Sequence, residues 1–233
     1  ADVTVYVPPG ATWRYFRGFA EASMPDPTAW RQPGFDDGHW PEGPAPFGYG
    51  SGRGPFGVDL SELSPPMEDF YSSLFLRGTF EVPRPQDVVK LEAYVMIDDG
   101  FVLWINGVEV LRYQVDDPIT FQSFATGAGD HRVFESFDLP NPDGYLVEGT
   151  NTVDVQAFNQ TLSSSDFKID LEILDTEGPD MTPPAIDSVV PPPDMTVRRA
   201  DRIEVTFTED VTGVDAGDLL LNGAPALSVE GSG

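Results

Sequence analysis

Phe167-Lys168-Ile169-Asp170-Leu171-Glu172-Ile173 alternates apolar and charged side chains without a break. Successive side chains of a strand leave opposite faces of a sheet, so this spacing predicts a half-buried antiparallel strand. The same period recurs upstream and downstream. Leu74, Leu76, Phe80 and Val82 oppose Arg77, Thr79 and Glu81; Val153, Val155 and Ala157 oppose Asp154 and Gln156; Ile203, Val205 and Phe207 oppose Glu204, Thr206 and Thr208. Asp98-Asp99-Gly100 leads into Phe101-Val102-Leu103-Trp104-Ile105, then Asn106-Gly107, then Val108-Glu109-Val110-Leu111. Asn-Gly supplies the positive φ angles of a type I′ turn, so this run predicts a β-hairpin. Helical periodicity is hard to find, and the fold class is all-β.

The chain has 233 residues and 25.4 kDa, enough for one large domain or two small ones. Thirteen basic against 39 acidic residues give a formal charge of −26, which makes nucleic acid and anionic membrane surfaces poor partners. No cysteine is present, so disulfides, thiolate metal sites and cysteine nucleophiles are excluded. His39 and His131 are the two imidazoles. No apolar run approaches the length needed to span a bilayer, and no membrane insertion is expected. Ala1-Asp2-Val3-Thr4-Val5 carries neither an initiator Met nor a charged leader region, which reads as a mature or excised product.

Residues 23–66 are crowded with Pro, Gly and aromatics and read as long ordered loops pinned by Trp30, Trp40, Phe47 and Tyr49. Composition breaks at residues 175–193, where Asp175-Thr176-Glu177-Gly178-Pro179-Asp180-Met181-Thr182-Pro183-Pro184 forms an acidic, Pro-rich connector. Strands are expected beyond it near 185–190, 202–208 and 218–221. The expected organisation is a sandwich over 1–176, a linker over 177–184 and a partial module over 185–233, too short for a whole sandwich domain of about 100 residues.

Trp13-Arg14-Tyr15-Phe16, Trp30, Phe35-Asp36-Asp37 with Trp40, and Pro46-Phe47-Gly48-Tyr49-Gly50 resemble the opening of a jelly-roll domain of large secreted bacterial proteins. Those proteins often also carry metallophosphoesterase, spore-coat-kinase-like, lamin-tail or Ig-like modules. Phe75-Leu76-Arg77, Phe80-Glu81-Val82, Asp98-Asp99-Gly100, Asn106-Gly107-Val108-Glu109-Val110, Gly149-Thr150-Asn151 and Ser164-Ser165-Asp166 continue the pattern in order, so the resemblance covers roughly residues 3–174. It implies a galactose-binding-like β-sandwich akin to the sugar-binding domains appended to glycosidases. Where that family usually has His-Gln after the penultimate strand, this chain has Phe158-Asn159. The tail resembles the first half of a bacterial Ig-like module, through Thr182-Pro183-Pro184, Ile203-Glu204-Val205-Thr206-Phe207 and Asp218-Leu219-Leu220-Leu221-Asn222-Gly223. Such modules act as spacers in surface proteins.

Asp98-Asp99 at a loop tip offers a hard cation two carboxylates, and calcium takes six to eight oxygens. The pair has a further, local resemblance to adhesins in which a similar Asp-Asp pair holds a calcium that contacts sugar hydroxyls. The other reading is a turn cap, with Asp98 accepting backbone N–H groups and Asp99 in solvent. Asp36-Asp37 has the same two readings, with an Asx-turn and Trp40 as plug for the second. Asp98, Asp99, Asp36 and Asp166 are the candidate calcium ligands, with Asp116, Asp117, Asp130 and Asp143 as further acidic loop positions. Trp13, Trp30, Trp104, Tyr49 and Tyr113 are candidates for stacking on a pyranose, against the commoner role of large aromatics in filling sandwich interiors. Arg112 and Arg77 have planar forks that fit sugar hydroxyls or a neighbouring carboxylate. Trp104, Tyr113 and Arg112 are the leading ligand-binding set.

Catalytic patterns are poor. Gly52-Arg53-Gly54-Pro55-Phe56-Gly57 matches a dinucleotide fingerprint by letter, but no strand precedes it, no helix follows and Pro55 interrupts it. Gly-x-Ser-x-Gly, His-Glu-x-x-His and Walker A patterns are absent. The expectation is a non-catalytic, extracellular module of a larger multidomain bacterial chain that recognises a polysaccharide or glycan and is stabilised by Ca2+. The alternative is a structural or adhesive stalk module with no glycan ligand.

Overall fold

A computed structural model describes residues 3–52, 54–129, 133–177, 185–193, 195–196, 201–208, 211, 213–221 and 223–231. Asp130 and His131, Arg53, Asn222 and the connector at 178–184 lie outside the described residues. The chain divides into two compact units, residues 1–180 and 181–233.

The first unit contains twelve strands: β1 (Thr4–Val7), β2 (Thr12–Arg17), β3 (Glu42–Pro44), β4 (Phe47–Tyr49), β5 (Val58–Asp59), β6 (Ser73–Val82), β7 (Leu91–Asp98), β8 (Gly100–Ile105), β9 (Val108–Tyr113), β10 (Glu135–Asp138), β11 (Gly149–Phe158) and β12 (Phe167–Asp175). The helical segments among the described residues are single 3₁₀ turns. One six-stranded sheet runs β10-β7-β12-β4-β5 with β1 also paired to β12; the other runs β3-β2-β6-β11-β8-β9. All pairings are antiparallel except the short β4–β5 pair. The unit is therefore an all-β sandwich. The hairpin turn forms as its sequence predicts, with Asn106 at φ 51° and Gly107 at φ 81°.

The main core fills the space between the sheets. Phe167, Ile169, Leu171 and Ile173 of β12 meet Leu74, Leu76, Phe80 and Val82 of β6, Phe101, Leu103 and Ile105 of β8, and Val153, Val155 and Ala157 of β11. These are the apolar faces read from the period-two alternation. The opposite face of the β6–β11 sheet is covered too. Arg77, Asp154 and Gln156, the polar residues of the alternation, are buried there. The reason is a third layer: loops 18–41 and 114–129 fold over this outer face and bring Trp30, Trp40, Val115 and Ala125 against Phe75, Val102, Trp104 and Phe158. Strand periodicity shows that two faces differ and does not show what covers the second one.

A guanidinium holds this layer down. Arg77 Nη1 donates to the Trp30 carbonyl and to Asp154 Oδ1, each at 2.5 Å, and Nη2 donates to the Gln32 carbonyl at 2.9 Å. Its Nε meets Asp37 Oδ2 at 3.0 Å. Two carboxyl groups thus share one buried cation. Burial pushes the Asp154 carboxyl up, to about 8, against the pull of Arg77.

The second unit is described by itself. Its strands are β13 (Ile186–Val190) paired with β14 (Glu204–Phe207), and β15 (Leu220–Leu221) paired with β16 (Ala224–Pro225). None of its described side chains is buried, and Ile186, Val190, Leu220, Leu227 and Val229 are exposed.

Candidate functional site

The hairpin settles the face of each residue proposed from sequence. Trp104 neighbours Asp154 of β11 and points to the outer face, where it is 2% exposed. The Trp30 ring meets it edge-on at 5.6 Å, and the Arg31 guanidinium lies 4.0 Å over it. Tyr113 pairs with Phe101 and faces the other way, packed against Phe101 and Phe137 on the main core. Trp104 and Tyr113 therefore cannot form one stacking platform, and Trp104 is a core residue of the loop-covered layer. Arg112 grips Glu109 through Nε and Nη2 at 2.7 and 2.6 Å, with Asp117 a further 3.0 Å from Nη2. Its fork serves ion pairs, the second of its two sequence readings.

The four carboxylates proposed for calcium are not gathered into one cage. Both oxygens of Asp99 accept backbone N–H groups, Oδ1 from Gly129 at 3.0 Å and Oδ2 from Gln160 at 2.6 Å, so this side chain clasps two loops. Asp36 accepts the Gly38 N–H at 3.1 Å in an Asx-turn within loop 18–41. Asp98, buried at the end of β7, and Asp166, just ahead of β12, both act on Tyr49. A Cβ added at Gly50 would stand 2.5 Å from that of Asp166, which fixes Asp166 beside the end of β4. Among the described residues, no group of three or more His, Cys, Asp or Glu side chains is arranged to hold a metal.

What the structure does assemble at one end of the sandwich is a set of four loops tied to one another, each carrying an exposed apolar side chain. The Gly18 N–H donates to the Ser73 carbonyl at 2.9 Å, and the Asn159 N–H to the Ser72 carbonyl at 2.8 Å. The Ala125 N–H donates to the Asn159 carbonyl at 2.9 Å, and the Asp69 N–H to the Leu162 carbonyl at 2.8 Å. Ser73 Oγ adds a hydrogen bond to the Phe121 carbonyl at 2.8 Å. These ties bring Phe19, Phe70, Phe124 and Leu162 to one end with exposures of 41, 55, 43 and 40%. Gly18 is needed where it sits, because a Cβ there would come 2.4 Å from Ser73 Oγ.

Beneath the rings the support is rigid. Phe19 packs on Tyr71 at 4.7 Å between ring centroids. Tyr49 donates to the Ser164 carbonyl at 2.6 Å and accepts from Asn159 Nδ2 at 2.9 Å. Burial first, then the carboxylates of Glu68, Asp166 and Asp98, push the Tyr49 hydroxyl up to about 12, while the Asn159 hydrogen bond pulls it back. The Tyr71 hydroxyl is raised by burial. Both phenols therefore stay neutral, and the Tyr49 hydroxyl ties the base of the loop at Ser164 to Asn159. Asn159, at the departure from the family's usual His-Gln, acts in this buried network.

No protein-family model matches the sequence, and no curated protein matches it significantly. Among solved structures, the chain is similar to a calcium-binding mutant of Bacteroides uniformis beta-glucuronidase 2, at 14% identity and TM-score 0.46, covering 74% of this chain and 18% of that one. It is similar to a beta-glucuronidase of an uncultured Clostridium sp., at 13% identity and TM-score 0.45, covering 89% of this chain and 34% of that one. A glycosyl hydrolase family 2 member from Bacteroides cellulosilyticus matches at 14% identity and TM-score 0.44, over 75% of this chain and 20% of that one. The chain thus spans about a fifth to a third of the length of these structures. At such identities the site must be read from this chain's own residues.

The carboxylates that burial raises lie away from the aromatic end. Asp154 sits under the loop layer bonded to Arg77. Asp170, raised mainly by burial, accepts the N–H groups of Gly10 and Leu171. A depression of about 250 Å³ near Lys90, Asp138 and Asn141 and one of about 60 Å³ near Tyr6, Trp13 and Thr79 each offer at most one carboxylate.

The sequence reading missed Phe19, Phe70 and Phe124 because they lie in Gly- and Ser-rich loops without period. The available signal was an aromatic flanked by polar residues, as in Glu68-Asp69-Phe70 and Gln122-Ser123-Phe124.

Proposed function

We propose that residues 1–176 form a non-catalytic, galactose-binding-like module that recognises a glycan through the aromatic loop end of the sandwich. The observation that carries this reading is that Phe19, Phe70, Phe124 and Leu162, exposed to between 40 and 55%, are carried by loops tied to one another by backbone hydrogen bonds. The C–H face of a pyranose is apolar and suits such rings, and pre-ordered loops lower the cost of immobilising them on binding. Stacking engages a sugar directly and requires no bridging cation. An enzyme would need convergent carboxylates of perturbed pKa in a cleft, and the burial-raised carboxylates here serve internal fastening. The resemblance of residues 3–174 to secreted bacterial jelly rolls supports an extracellular setting within a longer chain, with the second unit as an Ig-like spacer.

The test is a panel of soluble polysaccharides titrated into the full chain, with Phe70→Ala and Phe124→Ala in parallel. Binding weakened about tenfold or more in either variant, with the fold intact, supports the reading. Absence of binding across the panel would leave the stalk function in its place.

A further inference from the structure

Acidic residues outnumber basic ones three to one in this chain, 39 against 13. Arg14, Arg77, Arg84, Lys90, Arg112 and Arg202 each meet a carboxylate within 3.5 Å. Among the described residues, Arg17 and Arg31 make no such pair. Arg31 belongs to the loop-covered layer, 4.0 Å over the buried Trp104 ring. Arg17 closes β2 at the loop end that carries Phe19, and its guanidinium is only half engaged. Nη1 donates to the Ser64 and Pro65 carbonyls at 3.1 and 3.2 Å, and the group lies 5.2 Å over the Phe19 ring, itself packed on Tyr71 at 4.7 Å. These contacts hold the fork in place and leave its charge uncompensated. Nε and Nη2 make no hydrogen bond among the described residues, and neither is a sealed nitrogen, since Arg17 is half-buried. They form the edge of a guanidinium whose two parallel N–H groups match the two oxygens of a carboxylate. A fork already ordered by two carbonyls and a ring loses little freedom when it pairs.

We propose that Arg17 is a specificity-determining residue of the glycan surface and selects glycans bearing a carboxylate, the uronic-acid class, over neutral ones. The proposal rests on the glycan reading above and adds the substrate class. Phe19 positions the guanidinium, and the Nε–Nη2 edge donates two parallel hydrogen bonds to the sugar carboxylate. Glu21, Glu68 and Asp69 flank Phe19 and Phe70 in sequence and oppose an anion. None of them lies within ion-pair distance of Arg17, and salt of about 0.15 M screens exposed charges beyond about 8 Å. The selection therefore comes from contact at one fork and has the modest size of a partly exposed ion pair.

The experiment titrates the full chain, at about 0.15 M salt, with three oligosaccharides of equal length: a galacturonate oligomer, its methyl ester and a sulfated galactose oligomer. The ester keeps the sugar ring and removes the charge. Galacturonate should bind roughly three- to tenfold more tightly than the ester. Arg17→Lys keeps the charge without the fork and should narrow that ratio, and Arg17→Gln should abolish it. The ratio in the parent chain decides the matter even where a variant fails to fold: equal affinity for acid and ester, or tighter binding of the ester, would overturn the selection and leave glycan binding standing. A galacturonate preference kept by both folded variants would overturn the role given to Arg17. Tighter binding of the sulfated oligomer than of galacturonate would overturn the assignment to a carboxylate. Binding of none of the three would overturn the selection, whereas the glycan reading falls only with silence across the whole polysaccharide panel.

Discussion

Trp30, Trp40 and Trp104 on one side, and Phe19, Phe70 and Phe124 on the other, are rings carried by loops and strands of the same sandwich. The first three are at most 3% exposed and the second three at least 41%. Ring size does not decide which cluster meets a ligand. Loop 18–41 closes over the tryptophans because Arg77 fastens it through Trp30, Gln32 and Asp37, whereas the loops at the sandwich end are tied to one another below the phenylalanines and leave the rings open. One cluster is a packed layer; the other is a surface.

This contrast can be broken most forcefully at Trp104. Its replacement by Ala opens a cavity under Trp30 and Arg31 and should cost about 3–5 kcal/mol in denaturant unfolding. A loss below about 1 kcal/mol would mean that the layer is open. Arg77→Met should cost somewhat less, about 2–4 kcal/mol, since it strips hydrogen bonds from the Trp30 and Gln32 carbonyls and the partner from Asp154. A melting temperature unchanged in this variant would show that the loop layer is held by packing alone.

The buried carboxylates give the contrast a pH dependence. Burial raises Asp154 to about 8 and raises Asp170, so the folded state keeps protons that the unfolded chain releases near pH 4. The contribution of Asp154 is greatest below that pH and is lost as pH rises toward 8, and Asp170 acts in the same direction. Thermal unfolding should therefore shift to lower temperature between pH 5 and pH 8, and a shift to higher temperature would contradict the assignment. Smaller still is the effect expected from deleting residues 181–233. The first unit has its own core, so its melting temperature should move by less than about 5 °C. A larger fall would make the two units one cooperative structure.

Much of the sandwich was legible because its signals are local. Period two in 167–173 and 153–157 marked the inner faces, and Asn106-Gly107 supplied the turn conformation required by the hairpin. The outer face of the second sheet was not legible, because what buries Arg77 and Asp154 is a loop distant in sequence. The same reason left the surroundings of the candidate site residues unread. Trp104 alternates equally well to either side on paper, and only the loop over it shows that it is sealed. Asp99 illustrates the ambiguity of a carboxylate in a turn, which the structure resolves through its hydrogen bonds to Gly129 and Gln160. The second unit shows the converse case: its strands are readable from period two, yet none of its described side chains is buried.

The central claim is that the open phenylalanines, and not the tryptophan layer, meet the glycan. It is tested most directly by measuring oligosaccharide affinity for the full chain carrying Phe70→Ala and, separately, Trp104→Phe, a substitution that keeps a ring in the sealed layer. The account predicts binding weakened about tenfold or more by Phe70→Ala, with unfolding stability within about 0.5 kcal/mol of the parent. It predicts affinity within about twofold of the parent for Trp104→Phe, with the cost appearing in stability. Full affinity in Phe70→Ala together with a tenfold loss in Trp104→Phe would contradict it.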